Sequence, residues 1–189
     1  MRYPLLLSCV ILLAASSTGL AAAEHDRFPK AVKVADRELT LNGKGLCEWG
    51  FFAVDLYYAA LYLEKKTSKP ERVIDSRQAK RIHLRFVRAL TGDQLRQAYT
   101  AAVEYNTRDR LPRYKSRLEQ LCAMMEDVGV GASLLFDHVP GKGIEVRINE
   151  KRKGVIEGED FARLFFTLYF GPYPPDKNLK KGMLGRHDG

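Results

Sequence analysis

The sequence predicts an α+β domain on a largely antiparallel sheet. Strand patterns come first, helix patterns follow, and a hairpin and one more helix close the chain. Three stretches carry this reading. Residues 51–63 are apolar at nearly every position with Asp55 as the one charge, which suits a long strand covered on both faces. Residues 80–88 alternate, with Ile82, Leu84 and Phe86 pointing one way and His83, Arg85 and Val87 the other, as in a half-buried antiparallel strand. From Thr91 onward the apolar period changes to that of a helix.

Taken in order, residues 32–41 alternate loosely and read as one or two short strands. The Asn42-Gly43-Lys44-Gly45 run that follows reads as a turn. The long strand comes next, then a polar stretch over 65–70, then the alternating strand. Thr91-Gly92-Asp93-Gln94 opens a helix with a capping box, Thr91 accepting from the first turn and Gln94 reaching back. Its stripe is Leu95, Ala98, Tyr99, Ala102 and Val103. A second helix follows Pro112, with Leu118, Leu121, Cys122 and Met125 on one side. Residues 132–139 and 144–149 flank Pro140-Gly141-Lys142-Gly143 as a hairpin. A last helix runs through Phe161, Leu164, Phe165 and Leu168 and stops at Gly171, with Pro172 beyond.

The N-terminus has the three parts of a secretory signal: Arg2, an apolar run over 5–13, and small residues ending in Ala21-Ala22-Ala23. Residues 1–23 are therefore expected to be a cleaved signal peptide and 24–189 the mature single domain, periplasmic or secreted. No later segment is apolar for long enough to span a bilayer.

The net charge of +8 comes from scattered basic residues with no stacking or groove-reading motif, so nucleic acid is not an expected partner. The positive charge does suit proximity to anionic membrane surfaces. Cys47 and Cys122 remain after processing. An oxidising compartment permits them to pair, and a buried free thiol at Cys122 is equally consistent with its place on the second helix. His25, His83, His138 and His187 are far apart and lack ligand spacing, so neither a metal nor a cofactor is expected.

Several blocks resemble the chalcone isomerase-like family of bacteria. They are Leu41-Asn42-Gly43-Lys44-Gly45-Leu46 with the run 51–63, Arg81 to Phe86, the Leu90-Thr91-Gly92-Asp93-Gln94-Leu95 helix start, 154–161, and 179–185. Their order and spacing cover nearly all of the expected mature chain. The resemblance implies an open-faced β-sandwich: a large sheet, helices on one face, and a ligand cleft between them.

Activity does not carry over residue by residue. The family's chemistry uses an arginine, a threonine, a tyrosine and an asparagine. At the matching positions stand Gly45 (or Cys47 in the bacterial register), Tyr57, Leu95 and Ala102, and Ala162 stands where serine or threonine is expected. Lys44 is a nearby cation but lacks the planar guanidinium fork. Leu and Ala cannot stabilise an oxyanion, so chalcone isomerisation is not expected.

The resemblance instead implies a pocket for an elongated apolar ligand, a fatty acid or similar molecule, lined by Tyr57, Ala59, Leu95, Tyr99, Ala102 and Ala162. Plant relatives bind fatty acids. Some fungal relatives are associated with haem, for which His83 or His138 would have to serve as axial ligand. Two other readings stand beside the binding protein: a structural protein with a closed core, and an isomerase or lyase using Tyr57 and Tyr99. The second would need a cation to activate a phenol that ordinarily titrates near pH 10.

Overall fold

The computed structural model describes residues 27–50 and 52–186. The expected signal peptide, His25, Phe51 and His187 lie outside them. Seven strands form one sheet in the order of the sequence, every neighbouring pair antiparallel. They are β1 (Ala31–Val34), β2 (Arg37–Trp49), β3 (Val54–Leu63), β4 (Lys80–Phe86), β5 (Ser133–Val139), β6 (Gly143–Ile148) and β7 (Lys151–Glu157). Among the described residues five α-helices accompany them: α1 (Pro70–Asp75), α2 (Gly92–Thr107), α3 (Leu111–Ala123), α4 (Glu159–Phe170) and α5 (Lys177–Met183). Among the described residues no helix is long and apolar enough to cross a membrane.

The alternation in β3 and β4 sorts the two faces. Tyr57, Ala59, Leu61 and Leu63 join Ile82, Leu84 and Phe86 in the main core, against α2, α3 and α4. Tyr58, Ala60 and Tyr62 face the other way and pack with Phe28, Val34, Leu39 and Ala79. The Tyr62 hydroxyl donates to the Pro29 carbonyl at 3.0 Å, and β1 approaches β5. The sheet thus curls its first strands over its own second face, which is why β3 is apolar on both sides. The result is the expected open-faced arrangement.

At α2 the capping box forms as the sequence predicts. The Gln94 amide donates to Thr91 Oγ1 at 3.2 Å, and the Thr91 amide donates to Gln94 Oε1 at 2.8 Å. Its stripe differs in one respect: Leu95, Tyr99 and Val103 are buried, while Ala102 is half-buried and Ala98 exposed. Helix α4 is buried almost all round, from Phe161 to Phe170, and ends at Gly171.

The turn expected at 42–45 is not there. β2 runs straight through it, with a bulge between Leu41 and Gly43. Both glycines serve close approach rather than turning, for neither has a positive φ. A Cβ on Gly45 would come within 2.9 Å of the Leu179 carbonyl oxygen, and one on Gly43 would overlap that of Gly182. Helix α5 therefore lies directly on the β2 backbone. Asn42 fixes the crossing, donating to the carbonyls of Met183 (2.8 Å) and Thr67 (3.1 Å).

The long strand expected from residue 51 begins later, at Val54. Gly50 (φ 78°) and Ala53 (φ 47°) belong to the β2–β3 turn, the Ala53 amide donating to the Gly50 carbonyl at 3.2 Å. β7, α1 and α5 have no counterpart among the patterns read from the sequence. β7 follows β6 through Asn149-Glu150, both at positive φ (48° and 64°), the geometry of a two-residue hairpin turn.

Candidate functional site

A cavity of about 530 Å³ opens between α2 and the adjoining ends of β2, β3 and β4. Its walls are apolar: Leu56, Leu84, Leu90, Leu95 and Leu168. Ala98 and Ala102 lie one helical turn apart on α2 and both face it. Methyl groups at these two positions leave the space that larger side chains would occupy. That is why the α2 stripe is not buried along its whole length. Exposed Trp49, Gln94, Gln97 and Pro175 form the rim, with half-buried Glu48.

Four polar groups sit at the buried end. Cys47 and Tyr57 face each other across β2 and β3, and their side chains interact. The Tyr99 and Tyr169 hydroxyls bond to each other at 3.0 Å. Aromatic contacts fix the phenols. Tyr57 meets Phe86 edge-on at 5.6 Å, Tyr99 meets Phe136 edge-on at 5.7 Å, and Tyr169 lies against Phe165 at 5.7 Å.

Burial sets the protonation of this cluster. It pushes the Cys47 thiol up to about 11, with the Tyr57 hydrogen bond opposing and the Asp176 and Glu48 carboxylates adding to it. Desolvation likewise carries Tyr57 and Tyr99 well above the usual phenol range, and Tyr169 upward as well. All four are neutral at neutral pH. Among the described residues lining the cavity there is no lysine, arginine or histidine. The arrangement can hold a neutral oxygen at its floor and an apolar body along its walls. It has no cation to make a phenolate.

Of the residues the sequence nominates, Tyr57, Leu95, Tyr99 and Ala102 surround this one cavity. Ala59 is fully buried in the sheet, paired with Gly45 and Leu84. Ala162 borders a separate, polar cavity with Lys80, His138 and Glu159. Cys47, Ala98 and Tyr169 line the site without having been nominated. Tyr169 could have been found, standing one turn beyond Phe165 on the α4 stripe. Cys47 and Cys122 are both free thiols.

The second cavity is held together by structural bonds. Lys80 Nζ donates to the carbonyls of Val73 (2.8 Å) and Ser76 (2.9 Å) and lies 4.4 Å from the centre of the Phe166 ring. His138 bonds the Gln78 carbonyl through Nδ1 and Glu159 through Nε2. His83 lies on the other side of the sheet against Phe28. Among the described residues no group of three or more His, Cys, Asp or Glu could hold a metal ion.

A family profile described as chalcone isomerase-like matches residues 22–185. The chain belongs to the chalcone isomerase-like family. Among solved structures it is similar to the crystal structure of a fatty-acid binding protein of Arabidopsis thaliana, with a TM-score of 0.69 and 17% sequence identity. The match covers 83% of this chain and 90% of that one. At that identity the likeness speaks for the fold alone. No curated protein matches. The family's open-faced sheet with helices on one face is the architecture described above.

Proposed function

We propose that this chalcone isomerase-like protein binds an elongated apolar molecule, a fatty acid or one of similar shape, in the cavity between α2 and the sheet, without isomerising chalcones. One observation carries the reading: an apolar-walled space of about 530 Å³ is held open by Ala98 and Ala102 on a helix face that is otherwise core. Pockets for small ligands have this composition, mostly apolar with a few placed polar groups. The name of the Arabidopsis structure is consistent with it. A closed-core structural role would leave the open volume without purpose. An isomerase using Tyr57 or Tyr99 as base lacks an activating cation.

We further propose that the protein is exported, on the strength of the signal pattern in residues 1–23, and works close to a membrane surface. Exposed Trp49 stands at the cavity rim; Phe52 on the same hairpin, and Tyr105 one turn beyond Ala102 in edge contact with Tyr173, are exposed aromatics as well. Trp and Tyr favour the membrane–water interface.

The test is extraction of small molecules from protein purified out of its own compartment, followed by mass spectrometry. An amphiphile recovered from the native chain and lost from the Ala102→Phe variant supports the reading. Equal recovery from both sinks it. Incubation with a chalcone is expected to give flavanone no faster than the spontaneous rate.

A further inference from the structure

We infer that the ligand's polar group is uncharged, an alcohol, ketone or ester oxygen rather than an ionised carboxylate. This rests on the reading of the Tyr57–Tyr99 cavity as a ligand site and concerns which head it accepts.

The hydrogen-bond inventory at the floor comes first. Each phenol has one O–H to give. Tyr57 is engaged with the thiol of Cys47, its cross-strand partner. Of the Tyr99–Tyr169 pair, one proton is spent between them, so one hydroxyl proton remains free for a ligand. The Cys47 S–H is a second, weak donor. One good donor satisfies a carbonyl or hydroxyl oxygen. It leaves a carboxylate, with about four lone-pair sites to fill, mostly dry.

Charge points the same way. The described lining contains no cation, while Glu48 stands at the rim and Asp176 follows rim residue Pro175. Asp176 accepts from the Leu179 amide at 2.7 Å, so its carboxylate is held in place. Arg96, between lining residues Leu95 and Gln97, is held by Asp93 and the Met125 carbonyl, Arg85 alternates to the opposite face of β4 from lining residue Leu84, and Arg88 and Lys177 are exposed. The field of the two acids reaches the floor, where it adds to the upward shift of the Cys47 thiol. An anion entering this cavity would lose its water, gain one donor and meet negative potential. A neutral head of the same chain length meets none of these penalties except the modest loss of water.

Displacement of the neutral dye Nile red from the full processed chain tests this, with dodecanol, methyl dodecanoate and dodecanoate as competitors at neutral pH. The two neutral ligands should displace the dye at least about ten-fold more tightly than dodecanoate. Dodecanoate competing equally or better overturns the inference and leaves the binding role standing. Failure of all three, or Nile red binding unaltered in Ala98→Phe, overturns the binding role itself. Glu48→Lys should narrow the gap between dodecanoate and dodecanol, and an unchanged ratio counts against the electrostatic argument.

Discussion

The hydroxyls of Tyr99 and Tyr169, 3.0 Å apart, join α2 to the last turn of α4 at the floor of the cavity. Both residues are buried, so the bond is shielded from water. Removing either hydroxyl should cost about 1 kcal/mol of stability. The double variant Tyr99→Phe/Tyr169→Phe should cost less than the sum of the two, since the second loss removes a group already without its partner. Chemical denaturation of the four proteins measures this coupling.

Ala98 and Ala102 keep the cavity open, so enlarging them should fill it at little structural expense. Ala102→Phe is expected to retain or raise the melting temperature while abolishing binding of an apolar dye. If the site were packed core, the same change would cost about 1–3 kcal/mol. Thermal unfolding and dye titration on one sample separate the outcomes.

Gly45 touches the α5 backbone, whereas a Cβ at Gly129 would meet no atom within 4 Å. Gly45→Ala should therefore destabilise by about 1–3 kcal/mol through overpacking, while Gly129→Ala should stay within about 0.5 kcal/mol of the parent. Equal melting temperatures for the two would contradict the crossing geometry.

His83 is buried with its Nε2 lacking a partner, and burial, aided by Arg85 and Arg81, lowers its pKa to about 4. The unfolded chain takes up this proton near the ordinary value of about 6.5, so between the two values it binds more protons than the folded one. Stability should be fully present above about pH 6.5 and fall as pH drops towards 4, by up to about 3 kcal/mol from this residue. His83→Leu should remove that part of the slope in denaturation curves recorded across the range.

Asp137 receives two bonds from Arg81, at 2.5 and 2.6 Å, in a pair that is nearly closed to solvent. Asp137→Ala strands the guanidinium and should cost about 3–5 kcal/mol. Arg81→Leu/Asp137→Leu should recover much of that loss, measured by the same denaturation assay.

Local signals made most of the scaffold legible. The Thr91–Gln94 capping box, the 140–143 turn and the Gly171 stop each act within a few residues; the cap and the stop are where the sequence places them, and the turn is one residue shorter, the strand beginning at Gly143. The failures have two sources, distant partners and weak local patterns. Asn42-Gly43-Lys44-Gly45 has the composition of a turn, yet its glycines answer to a helix far along the chain. α5 offers only Leu179 and Met183 as apolar residues, and β7 opens with three basic ones, so neither carries a periodic pattern strong enough to read. At the cavity, period alone put Ala98 and Ala102 on the same stripe as Leu95 and Tyr99. Only the positions of β2, β3 and α4 reveal that this part of the stripe faces open space.

The crossing of α5 over β2 has a consequence for the order of assembly. The hairpins β1 to β3 and β5 to β7 join close neighbours in sequence and can zip up locally as they are made. The Asn42–Met183 bond instead spans 141 positions. During synthesis from the N-terminus, the second strand emerges well before its covering helix. Until residues 177–185 are available, the smooth backbone at Gly43 and Gly45 stays uncovered. Helix α5 thus acts as a latch that shuts on β2 only after all seven strands of the sheet have been made.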